Sequence, residues 1–388
     1  MQPQPSLHLV DSTLREGEQF ASAAFTTDQR IEIARRLDAL GVDLIEATSP
    51  IASPRAARDF ERLVGLGLRA RLAAHVRCHH DDVAAALDLG ATAIHVCLGT
   101  STHLRRSGHG RDLGGILAMA TDVLGPLVES DVEVRFSCED AFRTSARDVV
   151  RIVQLADSLG VDRVGLADTV GAATPTEVAT RVGLVRSTVD CEIEFHGHND
   201  GGCAVANAWA AYQAGATHVD TTVLGIGERN GIASLSGIVA RAALSNDALI
   251  DRLDLSQLVG LDAYVAEALA MEVPFNACIT SPTAFTHKAG LHAKAVLADP
   301  SSYESLEPEA FGRTRDVLLA HGLVGRHAIA ARAAGLGVTM SAAQTSAVVR
   351  RLKELADAGE INLQAVDELI RASATSWNTA SPLSEELS

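Results

Sequence analysis

One sequence pattern recurs within residues 7–245, in which a helical stretch ends at a glycine and a short apolar strand follows. In the first instance, a helical pattern over 27–40 stops at Gly41 and leads into a strand at 42–46. Strands that alternate with helices of ten or more residues indicate βα units and a parallel sheet. Eight strand-like runs occur, at 7–10, 42–46, 70–75, 93–97, 132–137, 163–167, 192–196 and 218–223.

Eight βα units in a segment of this size predict an α/β fold, a (β/α)8 TIM barrel over residues 1–245. A doubly wound open sheet is the alternative that the same alternation allows. Strand signals are nearly absent afterwards, so we expect a mainly helical C-terminal region over 246–373 and a flexible polar tail over 374–388. The expected helices of that region cover 247–272, 317–336, 341–359 and 363–372, with irregular structure over 274–303.

Charge and hydropathy exclude several classes of protein. The chain has 388 residues, and 33 Lys and Arg against 49 Asp and Glu give a net charge of −16, which argues against a nucleic-acid partner. No apolar run of 18 residues predicts a membrane span, and the start of the chain lacks the features of a signal peptide. The six cysteines are scattered without a CxxC pair, which is typical of free thiols in a reducing compartment. We therefore expect a cytoplasmic protein with no membrane partner.

Polar residues follow the predicted strands at the ends where a barrel carries its chemistry. Charged and imidazole side chains occur after most of the eight strands. Their number is larger than solvation of the rim alone would explain. We therefore expect a functional site at this end of the barrel. The segments concerned are 11–19, His75, His95, 135–140, 168–169, 196–200 and 225–231.

His196 and His198 form the sharpest pair on this rim. At a spacing of two in an extended segment, both side chains point to the same side. Two imidazoles and one carboxylate form a set of metal ligands that leaves positions open for substrate oxygens. Glu16, in the loop after the first strand, is the expected third ligand. Two ordinary hydrogen-bonded histidines are the alternative.

The segment GIGERNG at 225–231 is rich in glycine. It lacks both the GxGxxG spacing and the lysine of a nucleotide-phosphate loop. We therefore interpret it as a tight turn that shapes the rim.

Four segments together resemble one known family. DSTLREGEQF at 11–20, EFHGHND at 194–200, GIGERNG at 225–231 and TAFTHKAGLH at 283–292 are similar, in this order, to homocitrate synthases and isopropylmalate synthases. The resemblance implies a metal-binding TIM barrel that condenses an acyl-CoA with a 2-oxo acid. The letters REGEQF look more like the homocitrate branch, because the other branch usually has RDGxQ.

The resemblance implies a Claisen-type condensation on a 2-oxo acid that is chelated by a divalent metal, whether Zn, Mg or Mn, acting as a Lewis acid. The implied ligands are Glu16, His196 and His198. Arg15 would stabilise the alkoxide that forms when the carbonyl is attacked. Acetyl-CoA is the implied co-substrate.

The resemblance also implies that His292 removes a methyl proton from acetyl-CoA, helped by Glu139 and Tyr303. In the family this segment reaches the barrel mouth of the partner subunit, which implies a homodimer whose active site is completed in trans. Plainer interpretations remain open, since Tyr303 could anchor a loop and Glu139 could hold Arg135. His287 is interpreted as a structural histidine.

The distal carboxylate of 2-oxoglutarate is implied to lie against His75, Arg135, Ser137 and Thr169. An unpaired buried guanidinium at Arg135 would be unfavourable in a pocket for an apolar acceptor such as 2-oxoisovalerate. An arginine fork fits a phosphonate as well as a carboxylate, so phosphonopyruvate stays an alternative acceptor. The substrate-binding residues implied in all are Arg15, Gln19, Glu46, His75, Arg135, Ser137 and Thr169.

The resemblance therefore implies an acyltransferase that converts acetyl-CoA, 2-oxoglutarate and water to homocitrate and CoA, in amino-acid biosynthesis such as that of lysine. A metal-dependent acyl-CoA lyase is the alternative of a different class, and the segment with His292 disfavours it. An inactive relative is disfavoured because the site residues are retained together. His95 stands where lysine-making homocitrate synthases commonly have an Asp that holds the inhibitor lysine, so the resemblance does not carry lysine inhibition to this chain.

Overall fold

Eight parallel strands close into a barrel in a computed structural model, which describes residues 6–288, 290–359 and 361–378. Each strand pairs with its neighbours in chain order, and β1 pairs with β8 to close the ring. The TIM-barrel prediction is confirmed, and the open-sheet alternative is wrong. The barrel strands are β1 His8–Asp11, β2 Leu44–Thr48, β3 Arg71–Arg77, β4 Ala93–Gly99, β5 Glu133–Glu139, β6 Arg163–Asp168, β7 Glu192–Gly197 and β8 His218–Thr221.

Helices surround the barrel and make up most of the C-terminal part. Within the described residues they are α1 Thr27–Leu40, α2 Pro54–Val64, α3 His80–Asp88, α4 Thr102–Leu104, α5 Leu113–Leu127, α6 Ala146–Leu159, α7 Pro175–Arg186, α8 Ala204–Gln213, α9 Leu235–Leu244, α10 Gln257–Ala268, α11 Gly290–Ala298, α12 Arg326–Gly335, α13 Ala342–Asp357 and α14 Leu363–Asn378. None of the described helices combines the length and the apolar character that crossing a bilayer requires.

Helix α1 shows how the recurring helix–glycine–strand pattern produces a βα unit. It begins with a capping box, in which the Thr26 hydroxyl accepts from the Gln29 backbone N–H and the Gln29 side chain accepts from the Thr26 N–H. It ends at Gly41, whose φ of 101° lies in the left-handed region that glycine adopts at low cost. A Cβ at Gly41 would lie 2.9 Å from the Arg252 carbonyl oxygen, so a larger residue would not fit there.

The barrel interior departs from the usual apolar filling. Glu46, His95, Arg135, Arg163 and Glu194 sit on its strands, and each is at most 2% exposed. Buried charges are retained only when they are paired, so these side chains must satisfy one another. A small apolar cluster, Val10, Leu44, Ala73 and Ala93, lies on the same face of the strands.

The chain forms two compact units that divide between Ser281 and Pro282. This division lies after the boundary expected at residue 245. That boundary placed the helix expected over 247–272 in the C-terminal region. In the structure α10 packs on α1, with the Arg36 guanidinium 4.6 Å from the centre of the Tyr264 ring. This helix therefore completes the barrel unit.

The C-terminal unit is mainly helical, as expected, but two of its details differ. The segment expected to be irregular contains α11 and a short strand β9, Thr286–His287, which pairs in parallel with β10, Asp316–Val317. The helix expected over 317–336 begins only at Arg326, because residues 316–318 are held by backbone hydrogen bonds to β9. Helix α14 continues to Asn378, into the expected tail, and residues 379–388 lie outside the described ones.

The C-terminal unit has an apolar core of its own, in which Leu352 is 0% exposed. We predict that Leu352→Ala lowers the free energy of unfolding of this unit by about 2–5 kcal/mol, because the truncation leaves a cavity. Urea unfolding followed by hydrogen exchange of α12–α14 measures the change. Leu363, which is 48% exposed, is the matched control, and Leu363→Ala should stay within about 0.5 kcal/mol of the wild type. Equal losses in both variants would contradict the assignment of this core.

Candidate active site

A cavity of about 280 Å³ opens at the C-terminal ends of the strands. Loops and strand ends far apart in sequence meet there, at the rim where the site is predicted. Glu46 is not among the residues that line the cavity, and the predicted His292 and Tyr303 belong to the second compact unit. The predicted residues that line the cavity are Arg15, Glu16, Gln19, His75, Arg135, Ser137, Glu139, Thr169, His196 and His198.

Glu16, His196 and His198 form a compact group of possible metal ligands. One ligand atom of each lies within 4.8 Å of the others, and the two imidazole ring centres are 5.0 Å apart. The two histidines come from the end of β7, and Glu16 comes from the turn after β1. Among the described residues this is the one group of three or more such side chains close enough to share an ion.

The protonation states of this group suit a cation. Burial and the nearby Arg15 charge lower the pKa of His196 to about 4, and burial together with His196 lowers that of His198 to about 4. Burial raises the pKa of Glu16, but Arg15 and the two histidines outweigh it and bring that pKa below its ordinary value. Nδ1 of His198 is buried without a hydrogen-bond partner. Two neutral imidazoles and one carboxylate therefore fit a divalent ion.

Asp220 is a residue that the sequence analysis missed. Its Oδ2 lies 2.6 Å from Nδ1 of His196, and its Oδ1 accepts from the Ser12 hydroxyl at 2.6 Å. A carboxylate on one imidazole nitrogen fixes the ring and directs the other nitrogen toward a metal. The available signal was its place on β8, two residues after the buried His218 and thus on the same side of the strand.

The glycine-rich turn at 225–231 shapes the wall beside Glu16, as predicted. The Glu228 backbone N–H donates to Oε1 of Glu16 at 2.8 Å. A Cβ at Gly227 would lie 2.9 Å from that same oxygen, and a Cβ at Gly231 would lie 1.8 Å from the Gly225 carbonyl oxygen. Side chains at Gly227 and Gly231 would therefore displace the carboxylate or the turn.

Glu46 was expected to bind substrate, but it is fully buried and is bonded to protein groups. Its carboxylate accepts from Nε of Arg15 at 2.7 Å, and it lies 3.1 Å from Nδ1 of His75 and 2.8 Å from Nδ1 of His95. Burial raises its pKa, but Arg15, His75 and Arg135 outweigh this and hold the pKa well below its ordinary value. Glu46 therefore positions the residues of the cavity wall.

The guanidinium of Arg135 is paired with two carboxylates, whereas the choice of acceptor was predicted from an unpaired guanidinium. Nη1 donates to Glu194, and Nη2 lies 3.3 Å from Oε1 of Glu46. Nε is buried and has no hydrogen-bond partner. Glu139 is not among these partners, so the interpretation of Glu139 as the residue that holds Arg135 is wrong. Nε is thus the one nitrogen of this guanidinium without a partner, in a side chain that lines the cavity.

Glu139 and Thr169 lie at neighbouring points of the cavity wall. Burial and the nearby Asp140 charge raise the pKa of Glu139 above its ordinary value. The Thr169 hydroxyl accepts from the Asp140 backbone N–H at 2.8 Å, so its own hydrogen is free to be donated.

His292 and Tyr303 belong to the C-terminal unit. His292 is exposed on α11, and its ring stacks on that of Tyr303 with the ring centres 4.1 Å apart. Nε2 of His287 lies 2.8 Å from Oε1 of Glu304, which agrees with its interpretation as a structural histidine. The structure therefore brings together two of the predicted catalytic residues on one surface of this unit.

Two family matches cover most of the chain. The HMGL-like family matches residues 6–265, and the homocitrate synthase post-HMGL domain-like family matches residues 279–360. The homocitrate synthase, mitochondrial, of Schizosaccharomyces pombe is 44% identical over 381 residues, which cover 98% of this chain and 91% of that protein. The chain belongs to the homocitrate synthase family.

Other relatives are similar over most of this chain, and solved structures share its fold. The protein of the same name from Yarrowia lipolytica is 47% identical, over 94% of this chain and 82% of that protein. A probable 2-isopropylmalate synthase of Methanopyrus kandleri is 37% identical, over 91% of this chain and 70% of that protein. The crystal structure of a Bacillus subtilis HMG-CoA lyase aligns with a TM-score of 0.62 at 22% identity, covering 70% of this chain and 96% of that one. The last likeness shows the barrel fold alone.

The contact between Asp220 and His196 generates a prediction for metal binding. We expect Asp220→Asn to weaken the affinity for Zn²⁺ or Mn²⁺ by about 10- to 100-fold, because His196 loses the carboxylate that orients it. Titration calorimetry on metal-stripped protein measures the affinity. Asp200→Asn is the control, because Asp200 pairs with Arg229 on the same rim. An equal loss in both variants would indicate a general effect of charge instead of orientation.

Proposed function

We propose that the protein condenses acetyl-CoA with 2-oxoglutarate and water, and releases homocitrate and CoA. The observation that carries this proposal is one cavity that combines a metal-ligand group with an arginine whose Nε is unused. Relatives named homocitrate synthase, at 44% and 47% identity over nearly the whole chain, support the same reaction. A place in lysine biosynthesis is part of this proposal.

A bound divalent ion would be held by Glu16, His196 and His198, and would supply Lewis-acid polarisation of the 2-oxo group. Arg15 lines the same cavity, and its guanidinium contacts Glu46 at 2.7 Å and Asp220 at 3.5 Å. Although burial opposes the charge, these acids and Glu16 raise the pKa of Arg15, so it stays a cation. Its role is to stabilise the negative charge that develops on the keto oxygen.

The distal carboxylate of 2-oxoglutarate would accept a hydrogen bond from Nε of Arg135. The Thr169 hydroxyl offers a second donor, and Ser137 and His75 complete this part of the wall. A buried donor without a partner is costly, so an acceptor with a second acidic group gains more here than an apolar one.

The carbon–carbon bond forms after a base removes a proton from the acetyl methyl group. The resulting carbanion attacks the keto carbon, the alkoxide oxygen takes a proton, and water then cleaves the thioester to give a carboxylate and the CoA thiol. We assign the base to His292 of a second copy of the chain, with Tyr303 beside it and Glu139 on the cavity wall. The exposure of His292 and its stacking on Tyr303 support this assignment.

A homodimer in the cytoplasm is part of the proposal. All six cysteines are free thiols, which suits a reducing compartment. One relative is named a cytosolic isozyme, and others are named mitochondrial. The proposed partners are small molecules, with no nucleic acid and no membrane.

The direct test is release of the CoA thiol from acetyl-CoA with a panel of 2-oxo acids. We expect 2-oxoglutarate to give a higher kcat/KM than phosphonopyruvate and 2-oxoisovalerate. Preference for 2-oxoisovalerate would contradict the proposed acceptor, and thiol release with no 2-oxo acid present would favour a hydrolase.

The unpaired Nε of Arg135 generates a prediction about which 2-oxo acid the enzyme prefers. Arg135→Lys keeps a cation for Glu46 and Glu194 but removes the Nε donor. We expect it to lower kcat/KM for 2-oxoglutarate by the equivalent of about 1.5–3 kcal/mol, the value of a hydrogen bond to a charged group. The value for 2-oxoisovalerate should change little. Equal losses for both acceptors would show that Arg135 does not contact the distal group.

The assignment of His292 generates a prediction about mixed dimers. His292→Ala and Arg15→Ala should each be nearly inactive as separate preparations. After subunit exchange, part of the activity should return, because one site of each mixed dimer holds an intact set of residues. Mass spectrometry confirms that the subunits exchange, and the absence of recovery in exchanged samples would contradict action in trans.

A further inference from the structure

One short segment carries a charge opposite to that of the whole protein. Residues 103–111, here called the basic loop, contain three arginines and two histidines and no acidic residue, whereas the net charge of the chain is −16. Such a local excess of positive charge attracts anions and raises their concentration at the surface. No residue of the basic loop takes part in the proposed mechanism.

The basic loop begins at the catalytic rim. It follows β4, whose last residue Gly99 is the register partner of Glu139 on β5. Both Cys97 and Glu139 line the catalytic cavity, and the Thr100 hydroxyl donates to the Glu139 carbonyl oxygen at 2.8 Å. The loop is therefore anchored next to a residue that we place in the proton transfer.

The shape of the loop is fixed by specific contacts. Nη2 of Arg105 lies 3.1 Å from Oδ2 of Asp148 on α6, and the Arg111 backbone N–H donates to the Arg105 carbonyl oxygen at 3.1 Å. Between them, Arg105–His109 form a π-helix, a rare conformation that occurs frequently at functional sites. A Cβ at Gly99 would lie 2.8 Å from Cβ of Leu104, so the loop packs directly on the strand end.

Arg106 and Arg111 are the two loop arginines whose charge is not used in these contacts. Both are exposed, and within the described part of the chain no carboxylate lies within 4.0 Å of either guanidinium. Other arginines near this rim are already paired, Arg143 with Asp140 at 2.8 Å and Arg229 with Asp200 at 2.9 Å. The free positive charge of this region therefore resides on Arg106 and Arg111.

We propose that Arg106 and Arg111 bind the phosphate groups at the nucleotide end of the acyl-CoA co-substrate. This inference rests on the proposed function. Coenzyme A carries a diphosphate and a 3′-phosphate at the end remote from its thioester, and arginine is the residue best suited to bind phosphate through paired hydrogen bonds. A cavity of 280 Å³ is at the small end of ligand pockets, so the nucleotide must lie outside it, on the rim.

The proposal also accounts for how a polyanion approaches an acidic protein. The overall charge of −16 repels acetyl-CoA at long range, and the basic loop supplies a local field of the opposite sign beside the cavity. Salt screens such interactions between exposed charges. The KM for acetyl-CoA should therefore rise with ionic strength, and it should rise less once the two arginines are removed.

The test compares Arg106→Gln/Arg111→Gln with Arg35→Gln/Arg58→Gln. Arg35 on α1 and Arg58 on α2 are exposed as well, so the control removes the same charge elsewhere. We expect the loop variant to raise the KM for acetyl-CoA on the order of tenfold, the scale of two exposed charge pairs. Its KM for acetyl-pantetheine, which has the same thioester but no nucleotide, and its KM for 2-oxoglutarate should match those of the control.

Calorimetric titration with CoA and with pantetheine gives a second readout that needs no turnover. The loop variant should bind CoA more weakly than the wild type and pantetheine equally well. An equal rise in KM for acetyl-CoA and acetyl-pantetheine, or an unchanged affinity for CoA, would overturn the assignment. A wild type that binds CoA through these arginines but releases no thiol with any 2-oxo acid would instead contradict the proposed function alone.

Discussion

The buried carboxylate of Glu46 is the point on which the catalytic end of the barrel depends. Arg15, His75, His95 and Arg135 all meet it, at distances between 2.7 and 3.3 Å. Each of these groups would be costly to bury alone, and Glu46 makes their burial together possible. Because they come from different strands, this one interaction fixes how β3, β4, β5 and the loop after β1 present their side chains.

The polar interior extends this arrangement away from the cavity. Arg163 donates to Glu194 at 2.9 Å, and Glu194 in turn accepts from Arg135. The cavity wall is thus backed by charges that are already paired before any ligand arrives. Groups held in this way need little reorganisation when charge develops on a substrate, which is the physical basis of electrostatic catalysis. The same pairing leaves Nε as the one nitrogen of the Arg135 guanidinium without a partner, so Arg135 does not present an open fork.

The fold and the metal-ligand group were accessible from sequence because they depend on local spacing. Glycines that end helices, such as Gly41 and Gly160, mark βα units, and the spacing of two alone places His196 and His198 on the same side of an extended segment. The contact of Asp220 with His196 and the burial of Glu46 were not accessible, because they follow from pairing between strands far apart in the chain. The strands β9 and β10, of two residues each, have no periodicity to detect, and so α11 and the start of α12 were misjudged.

The division of the chain between Ser281 and Pro282 has an evolutionary consequence. The described residues that line the acceptor cavity all belong to the first unit, whereas His292 and Tyr303 belong to the second. Each unit packs an apolar core of its own, so drift in one need not disturb the folding of the other. A lineage of such proteins can therefore change the acid it accepts by substitutions confined to the barrel, while the segment with His292 is inherited unchanged.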